Sequence, residues 1–151
     1  MRSSERALVA TALEARSSWA YVAGRKRIVT DTRVRLDRHL GGPNDGAEVM
    51  VRTLGGQVGD IGQVVHGEAL LRLGEPALLF LTPDSRGQLG VTGMAQGHFP
   101  IRPGADGTPR LAPSPQLPEL FGPDDSAVRR LAGKSTEEAA RLVQRTWRDA
   151  R

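Results

Sequence analysis

The chain has 151 residues, enough for one domain that folds around its own core, and the absence of cysteine excludes disulfides and thiolate metal sites. Hydrophobic and charged residues, at 38% and 25%, match globular usage, while aromatics at 4% predict an aliphatic core of Val, Leu, Ile and Ala. Met1–Val128 balances 14 basic against 14 acidic residues, so the net charge of +4 lies in Arg129–Arg151, a poor match to a protein that tracks a phosphate backbone.

Met-Arg-Ser-Ser-Glu-Arg at the start has no apolar stretch of signal-peptide length. Two expectations follow: a cytoplasmic protein, or a mature chain with Met1 standing where a signal was removed. No run of about 18 apolar residues exists, so no transmembrane segment is expected. Ala7–Ala15 fits a helical face (Leu8, Val9, Ala12, Leu13) and a strand face (Ala7, Val9, Thr11, Leu13, Ala15) equally well. The resemblance described below favours strand.

Ile28–Leu40 alternates Ile28, Thr30, Thr32, Val34 and Leu36 with charged partners, the pattern of a strand with one buried face. A Gly41–Gly46 turn follows, and Glu48–Leu54 resumes the alternation, so the two runs should form a hairpin. Gly55–Gly74 holds six glycines among apolar residues and predicts a structured loop or a bent, bulged strand. Pro76–Thr82 reads as a strand buried on both sides, Gln88–Met94 as a further strand and Gln96–Ile101 as a last short one.

Six of ten prolines lie in Pro103–Pro123, which must run extended over the surface. Ser135-Thr136-Glu137-Glu138 is a capping box. It opens a helix whose face is Ala139, Leu142, Val143, Thr146, Trp147 and Ala150, with Glu137–Arg141 and Arg145–Asp149 as i,i+4 pairs. The organisation expected is one domain: a β-barrel at 1–102, a Pro-rich segment at 103–134 packed on it, and a basic amphipathic helix at 135–151.

The order of these pieces, with Thr30, Val34, Leu40 and Gly42, then Gly55-Gly56, then Gly74-Glu75 with Leu79-Phe80-Leu81, then Gln96-Gly97-His98-Phe99, resembles a group of uncharacterised, usually exported bacterial proteins. More distantly it resembles the netrin-like, tissue-inhibitor-of-metalloproteinase-type version of the OB barrel. The resemblance covers about two-thirds of the chain, from Ala7 to Ile101. It implies a mainly β fold, a small OB-like (netrin-like) antiparallel barrel, and a periplasmic or extracellular location after removal of a signal peptide. The inhibitors reach a target's metal through an N-terminal cysteine, which this chain lacks, so that mechanism does not carry over.

Gly133-Lys134-Ser135 has the end of a P-loop, but Val128 stands where the loop needs Gly, so a capped helix start is the reading. The Gly55-Gly56 loop offers backbone N–H groups to an anion, or simply a sharp bend. His39, His66 and His98, with Glu68 or Asp60, could meet at a zinc only by convergence in the fold; as ordinary residues they belong on surfaces and turns. Trp19 and Tyr21 stand before Gly24-Arg25-Lys26-Arg27, an aromatic–basic grouping that can stack bases or sugars or anchor a loop between the first two strands.

No catalytic residues and no cofactor are expected. The candidate binding residues are Trp19, Tyr21, Gly55, Gly56 and His66. The sequence points to a non-enzymatic binding or interaction module of the bacterial cell envelope, with a protein partner and no specific nucleic acid. The alternatives are a cytoplasmic OB-fold nucleic-acid-binding protein and, third, a metal-dependent enzyme using the scattered histidines.

Overall fold

Two long strands organise the molecule, which a computed structural model describes over residues 4–44, 46–117 and 127–149. Strand β1 (Arg6–Val22) and strand β2 (Arg25–Gly41) form a hairpin of 17 residues on each side. Its turn is only Ala23 and Gly24, at φ 53° and 77°, the left-handed pair whose twist matches that of the flanking strands. The first strand is thus longer than the Ala7–Ala15 expected. Trp19 and Tyr21 lie in its ordered end rather than in a loop.

Register shifts between Ala7 and Leu8, Val9 and Ala10, and Ala12 and Glu14 bend β1. Its first half can therefore pair on one edge with β2 and on the other with β6 (Pro76–Pro83), from Arg6↔Leu81 to Thr11↔Pro76. Strand β3 (Glu48–Leu54) pairs antiparallel with β2 from Val29↔Leu54 to Arg35↔Glu48, the hairpin that the alternation predicted. Strand β7 (Leu89–Val91) runs antiparallel to β6 and parallel to β3 through Val51↔Leu89 and Arg52↔Gly90. Strands β1-β2-β3-β7-β6 thereby close a ring.

The Gly-rich stretch folds as a small separate hairpin, β4 (Gly56–Val58) with β5 (Ile61–Gln63), followed by irregular chain. Past β7 a 3₁₀ turn at Met94–Gly97 replaces the expected strand end. Strand β8 (His98–Pro103) then pairs with β6, and the edge strand β9 (Pro109–Leu111) pairs with β8. Prolines bound β9 on an outer edge, where a missing N–H is tolerated. Part of the expected Pro-rich segment lies outside the described residues.

The continuous apolar run of β6 is explained by two cores. Leu79 and Leu81 face the ring interior with Leu8, Ala10, Val34 and Val51. Leu78 and Phe80 face outward with Ala7, Val9, Phe99 and Leu111, under helix α2 (Thr136–Asp149). The second core is not purely aliphatic. Phe80 meets Phe99 edge-on at 6.1 Å and stacks on Trp147 at 6.4 Å.

Ala139, Ala140 and Val143 bury the inner face of α2, while Leu142 and Trp147 pack at its margin; Ala150 lies outside the described residues. The Glu138 N–H donates to Ser135 Oγ at 3.2 Å, so Gly133-Lys134-Ser135 serves as a helix start, preceded by the short helix α1 (Ala127–Leu131). Glu137, expected to pair with Arg141 along the helix, reaches across to the sheet. It binds Arg38 of β2 at 2.7 Å and ties the helix to the ring.

Candidate functional site

An open groove of about 570 Å³ lies between the end of the first hairpin and the β6–β7 turn. One wall is the end of the β1–β2 hairpin, Tyr21 to Gly24. The floor is Arg52 and Leu54 of β3 with Leu89 and Gly90 of β7, and the far wall is the β6–β7 turn from Pro83 to Gln88. Each wall follows from local sequence. The hairpin reaches beyond the ring because β1 and β2 outrun β3 and β6. The far turn is rigid because Asp84 Oδ1 accepts the N–H groups of Arg86 (2.8 Å) and Gln88 (2.9 Å). Those two bonds hold the Asp84 carboxyl below the usual range.

The cations along the β1–β2–β3 face are matched by carboxylates. Arg52 binds Asp31 through Nε at 2.8 Å and Nη2 at 3.0 Å, a fork that raises the guanidinium's pKa. Arg33 bridges Glu48 at 2.8 Å and Glu14 at 3.1 Å, and Arg35 takes Asp37. Each of these three arginines is therefore held by at least one carboxylate of the same face.

Of the sequence candidates, Tyr21 borders the groove and is exposed. Trp19 lies two residue pairs down the same hairpin, its ring beneath Lys26 Nζ, 5.4 Å from the centroid. Gly55 and Gly56 lie elsewhere, where β4 crosses β1 and β2. The Gly55 N–H is taken by the Ile28 carbonyl, and its own carbonyl accepts from Thr30 Oγ1. At Gly56, φ is 137° and an added Cβ would stand 2.5 Å from both Ser17 Oγ and Thr30 Oγ1. Close packing of backbone accounts for this glycine. His66 is exposed on the following loop.

The three histidines are not brought together, and among the described residues no three His, Asp or Glu groups stand at metal-binding range. His98 departs from the expectation of surface histidines: it is 2% exposed. Its Nδ1 lies 3.0 Å from Ser114 Oγ, which in turn donates to Gln116 Oε1 at 3.2 Å. Burial first, and then the charge of Arg102, lowers its pKa to about 4. With both partners buried, this Ser–His pair pins the chain after β9 to the sheet and offers no surface to a substrate.

Leu54, Asp84 and Arg86 were not singled out from the sequence. Pro83-Asp84-Ser85-Arg86-Gly87 reads as a turn, and only the parallel β3–β7 contact shows which hairpin it faces. Comparison with protein-family models, with curated proteins and with solved structures returns no match to this chain.

Proposed function

We propose that this chain is a non-enzymatic binding module of the bacterial cell envelope, built on a small OB-like barrel, whose groove takes an extended segment of a partner protein. The groove carries the reading. Its floor offers Leu54 to apolar side chains, Leu89 being turned into the ring core, while Tyr21 and Arg86 at the rims can fix orientation, the usual division of labour in a specific site.

The ring order β1-β2-β3-β7-β6, with one parallel contact, supports the OB-like assignment. So does the groove's position between the first hairpin and the turn linking the last two ring strands, where OB barrels hold ligands. The envelope location rests on the resemblance to exported bacterial proteins. A protein partner suits a face whose Arg33, Arg35 and Arg52 are neutralised internally, because a polyanion would have to displace their carboxylates.

Screening a displayed peptide library and titrating the selected peptides tests this. Leu54→Glu should weaken binding at least tenfold with an unchanged unfolding midpoint, since a charge would then occupy the apolar floor. Selected peptides that bind Leu54→Glu as tightly as the parent protein would refute the groove. The nucleic-acid reading keeps one observation in its favour, Tyr21 beside the same groove. It predicts micromolar affinity for single-stranded oligonucleotides at physiological salt that falls in Tyr21→Ala.

A further inference from the structure

Beside the groove, the β1–β2 tip forms a second surface of different character. Arg25, Lys26 and Arg27 are consecutive, and Ser17–Thr30 contains no carboxylate. None of the three cations has an ion pair among the described residues, in contrast to Arg33, Arg35, Arg38 and Arg52. Together with Gln63, Val64 and Val65 they line an open hollow of about 420 Å³. The Ile28 N–H donates to Gln63 Oε1 at 2.8 Å, which fixes the hollow's two sides to each other. The acidic residues that flank Gln63–Val65 in sequence are Asp60, in the β4–β5 turn, and Glu68, which is occupied by the N–H groups of Leu54 and Ala69.

The apolar groups around these cations are unusually bare. Val64 is 85% exposed, Tyr21 72% and Trp19 37%. An exposed aliphatic residue beside a Trp, a Tyr and three cations is the composition of a protein–membrane boundary. The amphipathic rings sit at headgroup level, the aliphatic tip enters the acyl margin, and the cations meet lipid phosphates. Lys26 lying over Trp19 fits this arrangement, its stem along the ring and its charge outward. It fits single-stranded nucleic acid less well, because a base would need the ring face that Lys26 covers.

We propose that the β1–β2 tip, with the Gln63–Val65 segment beside it, docks this protein on an anionic lipid surface. Charge complementarity selects the partner, and the hollow between Arg25, Lys26, Arg27 and Gln63 receives headgroup phosphate. The surface shares Tyr21 with the groove, but Arg25, Lys26, Arg27 and Val64, which the tests below address, do not line it. Failure of one proposal therefore leaves the other standing.

Co-sedimentation with vesicles tests the docking, comparing phosphatidylcholine alone with phosphatidylcholine and phosphatidylglycerol in equal parts. The full chain should pellet with the anionic vesicles and not with the neutral ones. Each cation near such a surface contributes several-fold, so replacing Arg25, Lys26 and Arg27 with Gln should weaken binding by about 100-fold. Because the chain has no cysteine, Val64→Cys gives a single labelling site for an environment-sensitive dye. Its emission should shift to the blue on anionic vesicles, while a dye at Gln144→Cys on α2 should not respond.

Equal binding to neutral vesicles would overturn the proposal. Undiminished binding by the triple variant, or a silent dye at position 64 on bound protein, would do the same. Micromolar binding of a single-stranded oligonucleotide at physiological salt, abolished in the triple variant, would reassign the tip to nucleic acid.

Discussion

Among the contacts that attach helix α2 to the sheet, one aromatic contact has energetics that can be separated from the rest. The ring of Trp147 lies flat on Gly41 of β2: a Cβ added at Gly41 would stand 2.5 Å from Cγ and 2.7 Å from Cε2. On its other flank the ring stacks on Phe80, with 13° between the planes. Full loss of a buried Trp costs about 3–5 kcal/mol. Trp147 is only half-buried, so Trp147→Ala is expected to cost about 2–3 kcal/mol, a fall of roughly 6–9 °C in the midpoint for a chain of this length.

Gly41→Ala attacks the same contact from the other side. Its backbone φ is not left-handed, so the substitution adds no conformational strain. The new methyl would overlap the indole by about 1 Å relative to an ordinary carbon–carbon contact. The ring must lift and give up part of its stack on Phe80, at a cost of about 1–3 kcal/mol. In a chain already carrying Trp147→Ala the methyl meets open space, and Gly41→Ala should be neutral or slightly stabilising.

The double variant is therefore expected to match Trp147→Ala alone, leaving a coupling of at least about 1 kcal/mol. Urea denaturation of the four proteins, followed by far-ultraviolet circular dichroism, measures this. Additivity within about 0.5 kcal/mol would refute the packing argument, since uncoupled sites behave that way.

Two further outcomes follow from buried polar groups. His98 has a folded pKa lowered to about 4 from 6.5, so its neutral form supports the fold fully above pH 6.5. That support is lost as the pH falls through 6.5 toward 4, on the order of 3 kcal/mol in all. His98→Asn, which keeps a donor near Ser114, should flatten the acid limb of a stability–pH curve, and an unchanged limb would show that His98 does not titrate on unfolding. Glu68, 9% exposed, accepts the N–H groups of Leu54 and Ala69, each at 2.9 Å. Glu68→Ala should cost about 2 kcal/mol by orphaning both donors and should speed limited proteolysis within 59–74; an unaltered digestion pattern would count against this anchoring role.

Much of the sheet was legible because period-two alternation has a physical cause wherever one face is buried. Ile28, Thr30, Thr32 and Val34 against Val49, Val51 and Thr53 gave both the strands and their pairing. Helix α2 was readable from its Ser135 cap and apolar face. The extent of β1 was not, because its outer half is a solvent-exposed hairpin arm. Ser17, Ser18 and Ala20 carry no hydrophobic signal there, and the strand is held by backbone pairing to β2. The β4–β5 hairpin was hidden for a similar reason: three-residue strands built from Gly56, Gln57, Gly62 and Gln63 show no periodicity at all. The groove was illegible because its walls come from residues about 30 and 60 positions apart in the chain, brought together by the parallel β3–β7 contact. Two-residue pairings of that kind leave no mark in either segment.

Electrostatics gives the last lesson, because a neutral sum over Met1–Val128 hides an uneven map. Glu14, Asp31, Asp37 and Glu48 all stand on the β1–β2–β3 face, and each is matched to Arg33, Arg35 or Arg52. Glu68 is occupied with backbone donors, and Glu75 faces Arg102. These described carboxylates are thus fixed on or beside the ring, while Arg25, Lys26 and Arg27 stand on the hairpin end beyond it. Among the described residues, ion pairing is then a property of the ring and not of its tip. The two proposed surfaces should consequently respond to salt in opposite ways. Peptide binding in the ion-paired groove should hold or strengthen as salt rises, since its driving force is apolar burial. Vesicle binding at the tip should decline steeply above about 0.15 M salt, where the Debye length shrinks to ~8 Å and headgroup phosphates are screened. Parallel loss of both activities over the same salt range would mean that a single electrostatic site underlies them, and the separation of groove from tip would fail.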